Sequence, residues 1–253
     1  MGEAVITAAD RRAFREQGYV VIPEVLSAAQ IDRGLALAAD LLDAEPVSPG
    51  YAGQLARWPR FGPGGHPLLG FYRDIGLAHL AAALVREDLP LQEPGAAQLA
   101  VTIPTWRHRP GGPHLDGITP LPPDGAPGTF TLLAGVWLTD QSEPDRGNLY
   151  VWPGTHLRAG AFFAEHGAAL LTRPDELPPG PYPPVELGQA TQATGPAGSI
   201  LLAHYLLAHN IGGHSGPPEA EWRRTFYFRI VAAGHKQRWH TIVTDPLHEF
   251  RRH

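Results

Sequence analysis

The sequence predicts a mainly β protein. A helical N-terminal layer, about residues 7–90, is expected to pack on an antiparallel double sheet, about residues 91–240, within one domain. Three observations predict this. A length of 253 residues suits one large domain. With 29 glycines and 27 prolines the chain disfavours a helical bundle, because both residues break helix interiors, yet 43% hydrophobic content can fill a core. After Pro90, short apolar runs alternate with turn clusters at regular intervals, the pattern of a sandwich or barrel rather than of a parallel α/β sheet.

The elements follow in order. Thr7 is an N-cap and Asp10 places an acid in the first turn of a short helix that Gly18 ends. Tyr19-Val20-Val21-Ile22 is a β-branched strand stopped by Pro23. Ser27 and Gln30 have capping-box spacing and open a helix to about Leu42, with Ile31, Leu35, Ala38 and Leu42 on one face. Residues 45–67 form a long Gly/Pro-rich loop carrying Tyr51, Arg57, Trp58, Arg60 and Phe61. A third helix is expected over 71–85. Strands are expected over 98–103, 129–138, 148–151, 199–207 and 225–231, interrupted by one helix over 159–171. Residues 173–184, dense in proline, form a lid or surface crossing.

Composition removes several functions. Formal charge is −5 and Lys236 is the only lysine, so no basic stripe exists to hold a nucleic acid. The absence of cysteine excludes disulfides, iron–sulfur clusters, thiolate zinc sites and cysteine nucleophiles. No apolar run reaches the ~18–20 residues of a membrane helix. Residues 1–12 lack the apolar centre of a secretory leader, and Ile6 stands where a myristoylation motif needs Ser or Thr. A cytoplasmic protein, monomer or homodimer, is expected, with no nucleic-acid or membrane partner. Thirteen histidines without cysteine point to nitrogen–oxygen metal chemistry.

His114 and Asp116 are two residues apart, so on an extended segment both side chains share a face. Imidazole beside carboxylate is two-thirds of a 2-His-1-carboxylate triad, which holds Fe(II) and leaves positions open. On pattern alone His-x-Asp is weak. The second histidine would come from His204, His209 or His214. His204 and His209 have opposite parity if one strand carries both, and His214, after two glycines, is expected to be mobile. An arginine among Arg223, Arg224 and Arg229 that faced a buried metal pocket would need an anion, such as a dicarboxylate co-substrate.

Several motifs carry a family resemblance across nearly the whole chain. They are Phe14-Arg15-Glu16-Gln17-Gly18-Tyr19-Val20-Val21-Ile22, Arg109-Pro110-Gly111 ahead of His114-Leu115-Asp116, and Val136-Trp137-Leu138-Thr139-Asp140 followed by Gly147 through Pro153-Gly154-Thr155-His156. Gly198 is followed by histidines six and eleven residues later. The chain resembles the phytanoyl-CoA dioxygenase family of Fe(II)/2-oxoglutarate oxygenases. That resemblance implies a double-stranded β-helix (jelly-roll) core, iron held by His114, Asp116 and His209, 2-oxoglutarate bound by Arg223 with Arg224 as the alternative, and O₂ as co-substrate. It implies a structural His156 and places Gln98 against co-substrate or substrate. Two departures concern the co-substrate pocket. Ile211 replaces a small polar residue, and Gly-Gly-His-Ser-Gly replaces the usual stretch after the distal histidine.

The activity implied is hydroxylation, desaturation or epoxidation of a small organic metabolite in natural-product biosynthesis. Related halogenases lack the carboxylate that Asp116 provides, so halogenation is not expected. Trp58, Phe61, Trp106, Trp137 and Tyr205 are candidate pocket walls, and Arg57, Arg60, Arg107 and Arg109 are the cations an acyl-CoA would need. Two readings compete, a cupin-like metal enzyme without 2-oxoglutarate and an inactive jelly-roll that binds a small ligand.

Overall fold

Thr7 caps the first helix as expected: its Oγ1 accepts from the Asp10 N–H at 3.1 Å while Asp10 Oδ2 accepts from the Thr7 N–H at 2.8 Å. Such a reciprocal cap stabilises a helix by about 1 kcal/mol. The computed structural model describes residues 5–44, 53–109, 111–117, 126–173, 176 and 182–251. Helix α1 (Ala8–Gln17) ends at Gly18, whose φ of 87° is the left-handed conformation a helix C-terminus favours. Strand β1 (Tyr19–Ile22) and helix α2 (Ala28–Ala44) follow, the latter behind the Ser27–Gln30 capping box.

Two expectations change here, and a third goes untested. The third helix is two short ones, α3 (Pro67–Asp74) and α4 (Leu77–Ala82), because the chain turns left-handed at Gly76 (φ 66°). The expected loop over 45–67 contains an edge strand, β2 (Gln54–Arg57), while residues 45–52 lie outside the described residues. The proposed lid over 173–184 also falls largely outside them.

The series continues with β3 (Leu91–Gln92), β4 (Gln98–Thr102), β5 (Leu132–Trp137) and β6 (Leu149–Val151). Helix α5 (Thr155–His166) starts four residues earlier than expected, behind Gly154, and a 3₁₀ turn (Ala168–Thr172) follows. Then come β7 (Thr191–Gln192), β8 (Ile200–His204), β9 (His209–Ile211) and β10 (Arg223–Ala232). A last helix, α6 (His235–Thr244), was not expected; it buries Trp239, Ile242 and Val243 among polar residues that obscure its periodicity. No helix among the described residues is long and apolar enough to cross a membrane.

The strands form two antiparallel sheets, the halves of a double-stranded β-helix. The larger runs β1-β8-β5-β10-β4-β2, with β3 paired to the far end of β10, and the smaller runs β7-β6-β9. Strand alternation divides the core in two. Leu99, Val101, Leu132, Val136, Phe226, Phe228 and Ile230 pack against the helical layer, with Leu68, Phe71 and Leu80. Their neighbours Ala100, Leu133, Trp137 and Tyr227 face inward to Leu149, Val151, Phe163 and Trp239. On β10 the same alternation puts Arg223, Thr225, Tyr227 and Arg229 on the inner face.

Candidate metal centre

The space between the sheets opens as a pocket of about 280 Å³ whose lining includes Gln98, His114, Asp116, His209, Arg223 and Arg229. His209 begins β9, in the smaller sheet. The loop segment carrying His114 bridges to it, the His114 N–H donating to the His209 carbonyl at 3.3 Å. This backbone contact sets the two residues side by side. The ligand atoms of His114, Asp116 and His209 all lie within 4.8 Å of one another. Asp116 Oδ1 is 3.4 Å from His114 Nε2 and 3.9 Å from His209 Nε2.

Protonation states suit a cation. His209 Nδ1 lies 2.9 Å from the Leu207 carbonyl and donates to it, which leaves Nε2 with its lone pair towards Asp116. Burial, with the nearby His114 charge, lowers His209 to about 4, so its ring is neutral at neutral pH. Burial alone would raise the Asp116 carboxyl. The hydrogen bond from His114 and the electrostatic pull of His209, Arg229 and His114 as Asp116 titrates outweigh it and hold Asp116 well below the usual carboxylate range. Two imidazoles and one carboxylate form a donor set suited to Fe(II).

Arg223 stands deeper on the same face and is 1% exposed. Its Nε donates to Gln141 Oε1 at 3.1 Å and its Nη2 to Tyr227 Oη at 2.7 Å, while Nη1 is buried with no partner among the described residues. Thr102 faces Arg223 in register across β4 and β10, and its buried hydroxyl also lacks a partner. A buried cation with an unfilled donor is costly, and a carboxylate would supply the missing acceptor. Gly147 makes room for this group: at φ 84° it is left-handed, and a Cβ there would stand 2.8 Å from Thr102 Cβ and 3.1 Å from Arg223 Cδ. Arg224 points elsewhere, donating to the Trp222 carbonyl at 3.4 Å, with Glu221 at 3.9 Å.

His204, His214 and His156 serve the scaffold. His204 ends β8 rather than sharing a strand with His209, so parity does not decide between them. It is buried, with Nε2 2.7 Å from the Pro246 carbonyl and Nδ1 accepting from the Leu206 N–H at 2.9 Å. His214 is not a loose loop residue. It is 2% exposed, with Nε2 3.0 Å from the Glu221 carbonyl and Nδ1 accepting from the Gly216 N–H. His156 ties α5 to α1 through the Arg15 carbonyl at 3.1 Å. Burial lowers His156 to about 4 and His204 to about 3.

Of the five aromatic candidates for the pocket wall, Trp58 alone lines this pocket. Trp137 and Tyr205 belong to the inter-sheet core, Phe61 packs on the helical side, and Trp106 stacks on His108 in a separate cleft with Arg107 and Arg109. Gln98 sits on β4 opposite Tyr227 and lines the pocket, as does Ile211. The sequence marks Arg229 only as one of three arginines that would need an anion; in the structure its partner is Asp116, whose Oδ2 accepts from Arg229 Nη2 at 2.6 Å. The signal was there: 223, 227 and 229 have the same parity on one strand. Gln141 and Thr102 carried no such signal.

No family model and no curated protein sequence matches the chain. Solved structures do. The non-heme alpha ketoglutarate dependent carbocyclase SnoK from nogalamycin biosynthesis aligns over 88% of this chain and 83% of its own at 24% identity and a TM-score of 0.57. HygX from Streptomyces hygroscopicus, crystallised with nickel and 2-oxoglutarate, aligns over 90% and 87% at 16% identity and 0.57. EctD from S. alaskensis aligns over 91% and 79% at 20% identity and 0.60. At these identities the likeness shows the shared jelly-roll fold.

Proposed function

We propose that this chain is an Fe(II)/2-oxoglutarate-dependent oxygenase of phytanoyl-CoA dioxygenase type that oxidises a small organic metabolite in natural-product biosynthesis. The observation that carries this reading is the pairing, in one pocket, of the His114–Asp116–His209 cluster with the unfilled donor of Arg223. A metal site alone would suit many hydrolases. A buried guanidinium facing the same space asks for an anionic partner, and a keto acid with a second carboxylate meets both demands. The fold neighbours support the reading, since HygX was crystallised with nickel and 2-oxoglutarate and SnoK is described as alpha ketoglutarate dependent.

When bound, the metal, 2-oxoglutarate and O₂ supply the oxidising chemistry. The chain's own residues bind and orient. His114, Asp116 and His209 would hold the metal, and Arg223 would hold the distal carboxylate, with the Thr102 hydroxyl within the same buried layer. Gln98 would touch co-substrate or substrate. Leu133, Leu149 and Ile211 present apolar surface to the pocket. Asp116 occupies the place a halide would need, so hydroxylation, desaturation or epoxidation is the outcome proposed.

The test is anaerobic Fe(II) titration, then O₂ exposure with 2-oxoglutarate and candidate metabolites in high chloride, with succinate and product mass measured. Succinate formation and products gaining one oxygen or losing two hydrogens fit the reading. A chlorine isotope pattern refutes the reaction type. Tight zinc or manganese binding with no 2-oxoglutarate binding favours a cupin-like metal enzyme.

A further inference from the structure

The two oxygens of the Asp116 carboxylate face different partners. Oδ1 turns to the histidine nitrogens, at 3.4 Å and 3.9 Å, while Oδ2 accepts from Arg229 Nη2 at 2.6 Å. The guanidinium packs in turn against two aromatic rings. Its central carbon lies 4.9 Å from the centroid of the Trp58 ring and 5.7 Å from that of Phe130. Trp58 follows β2 and Phe130 precedes β5, so three separate parts of the fold converge on one side chain. A planar cation packed against two aromatic rings has reduced freedom to turn, and its hydrogen bond transmits that restraint to Asp116.

We infer that Arg229 is a positioning residue that keeps Asp116 a one-oxygen ligand and so preserves the coordination positions a chelating co-substrate needs. This rests on the functional reading above. A metal held by two histidines and one carboxylate oxygen keeps three of its six positions open. A keto acid takes two of them. Free to turn, a carboxylate can give a divalent cation both oxygens, and the second would occupy a position the co-substrate requires. An ion pair to Oδ2 prevents that. Charge alone argues the opposite effect on the metal, since a cation beside the site repels a divalent ion. Arg229 therefore works against metal affinity and in favour of co-substrate affinity, a combination that a merely structural residue would not produce.

The experiment uses Co(II) as the metal and 2-oxoglutarate as the second ligand, in wild-type protein, Arg229→Met and Arg229→Lys. Calorimetry gives both affinities, the visible absorption of bound Co(II) reports its coordination, and metal-free melting reports the fold. Arg229→Met should bind Co(II) at least as tightly as wild type, change its visible spectrum, and lose at least about tenfold in 2-oxoglutarate affinity, the scale for an outer-sphere partner of a ligand. Arg229→Lys, whose ammonium still pairs with Oδ2, should restore most of that loss.

Weaker Co(II) binding in Arg229→Met, unchanged 2-oxoglutarate affinity there, or an equal loss in both variants would each overturn the inference. Should Arg229→Met fail to fold, Trp58→Ala carries the same expectation at smaller size, because Trp58 is 55% exposed and braces the guanidinium from outside. A wild-type protein that binds no Co(II) would instead bring down the functional reading, and this inference with it.

Discussion

Gly135 on β5 lies directly opposite Tyr227 on β10, and a Cβ at that position would stand 2.8 Å from Tyr227 Cε1. The contact matters because the Tyr227 hydroxyl accepts a hydrogen bond from Arg223. The absence of a side chain on one strand thus sets the position of a cation's partner on the next. Gly135→Val should push the ring aside at a cost of about 1–3 kcal/mol in stability. It should weaken 2-oxoglutarate binding while leaving metal affinity near wild type. Calorimetry with each ligand checks this, and equal losses for both would point to general disruption.

Arg223→Ala should raise the 2-oxoglutarate Michaelis constant sharply. Removing one partner of a buried charged contact costs roughly 2–5 kcal/mol, and Arg223 is almost fully buried beneath the pocket. Arg224→Ala should change it little, because that guanidinium is partly exposed and bonds the Trp222 carbonyl. Steady-state kinetics on both variants decides the matter, and the reverse order would exchange their roles.

His114→Ala, Asp116→Ala and His209→Ala should each abolish Fe(II) binding or turnover. His204→Ala and His214→Ala should keep the metal and lose stability instead, by about 1–3 kcal/mol each, because each strips partners from buried backbone groups. Urea melts alongside metal titrations separate the two sets. Metal loss in His204→Ala with full affinity in His209→Ala would reassign the triad.

Acid should destabilise the metal-free protein before the carboxylates titrate. His156 and His204 lie lower in the fold, at about 4 and about 3, than the ordinary 6.5 of an unfolded histidine. The unfolded chain therefore takes up these protons first. Stability from the two groups is complete above pH 6.5 and falls as pH drops towards 4 and then 3, by at most about 1.4 kcal/mol per unit for each histidine. Denaturant melts between pH 7.5 and 4.5 should show this slope, and His204→Gln should flatten it. An unchanged slope in His204→Gln and His156→Gln would show that these rings do not drive it.

What could be read in the sequence followed from local physics. The caps at Thr7 and Ser27 and the strand after Gly18 need only neighbouring residues, and the structure has each of these features; His114 and Asp116 also come together, although Asp116 lies in a turn rather than on an extended segment. Elements that depend on distant partners were harder. Strand β2 exists because β4 offers it an edge, and α6 because its few apolar residues find the inter-sheet core. Gln141 meets Arg223 across 82 positions of chain, a distance no periodicity spans. The break at Gly76 was visible as a glycine, but glycine inside an apolar helical pattern does not announce whether the helix stops there.

The even spacing of Arg223, Tyr227 and Arg229 along β10 also constrains how this chain can evolve. Inserting or deleting one residue within 224–228 would turn either Arg223 or Arg229 from the inner face into the helical layer, among Phe71, Leu80 and Phe228. No single later substitution would repair that, since a cation would be stranded among hydrocarbon and its partners, Gln141 and Tyr227 for Arg223 or Asp116 for Arg229, left behind. Length changes in descendants of this sequence should therefore accumulate in the connections between strands, where substrate preference can drift while the strand that spaces the two arginines keeps its length.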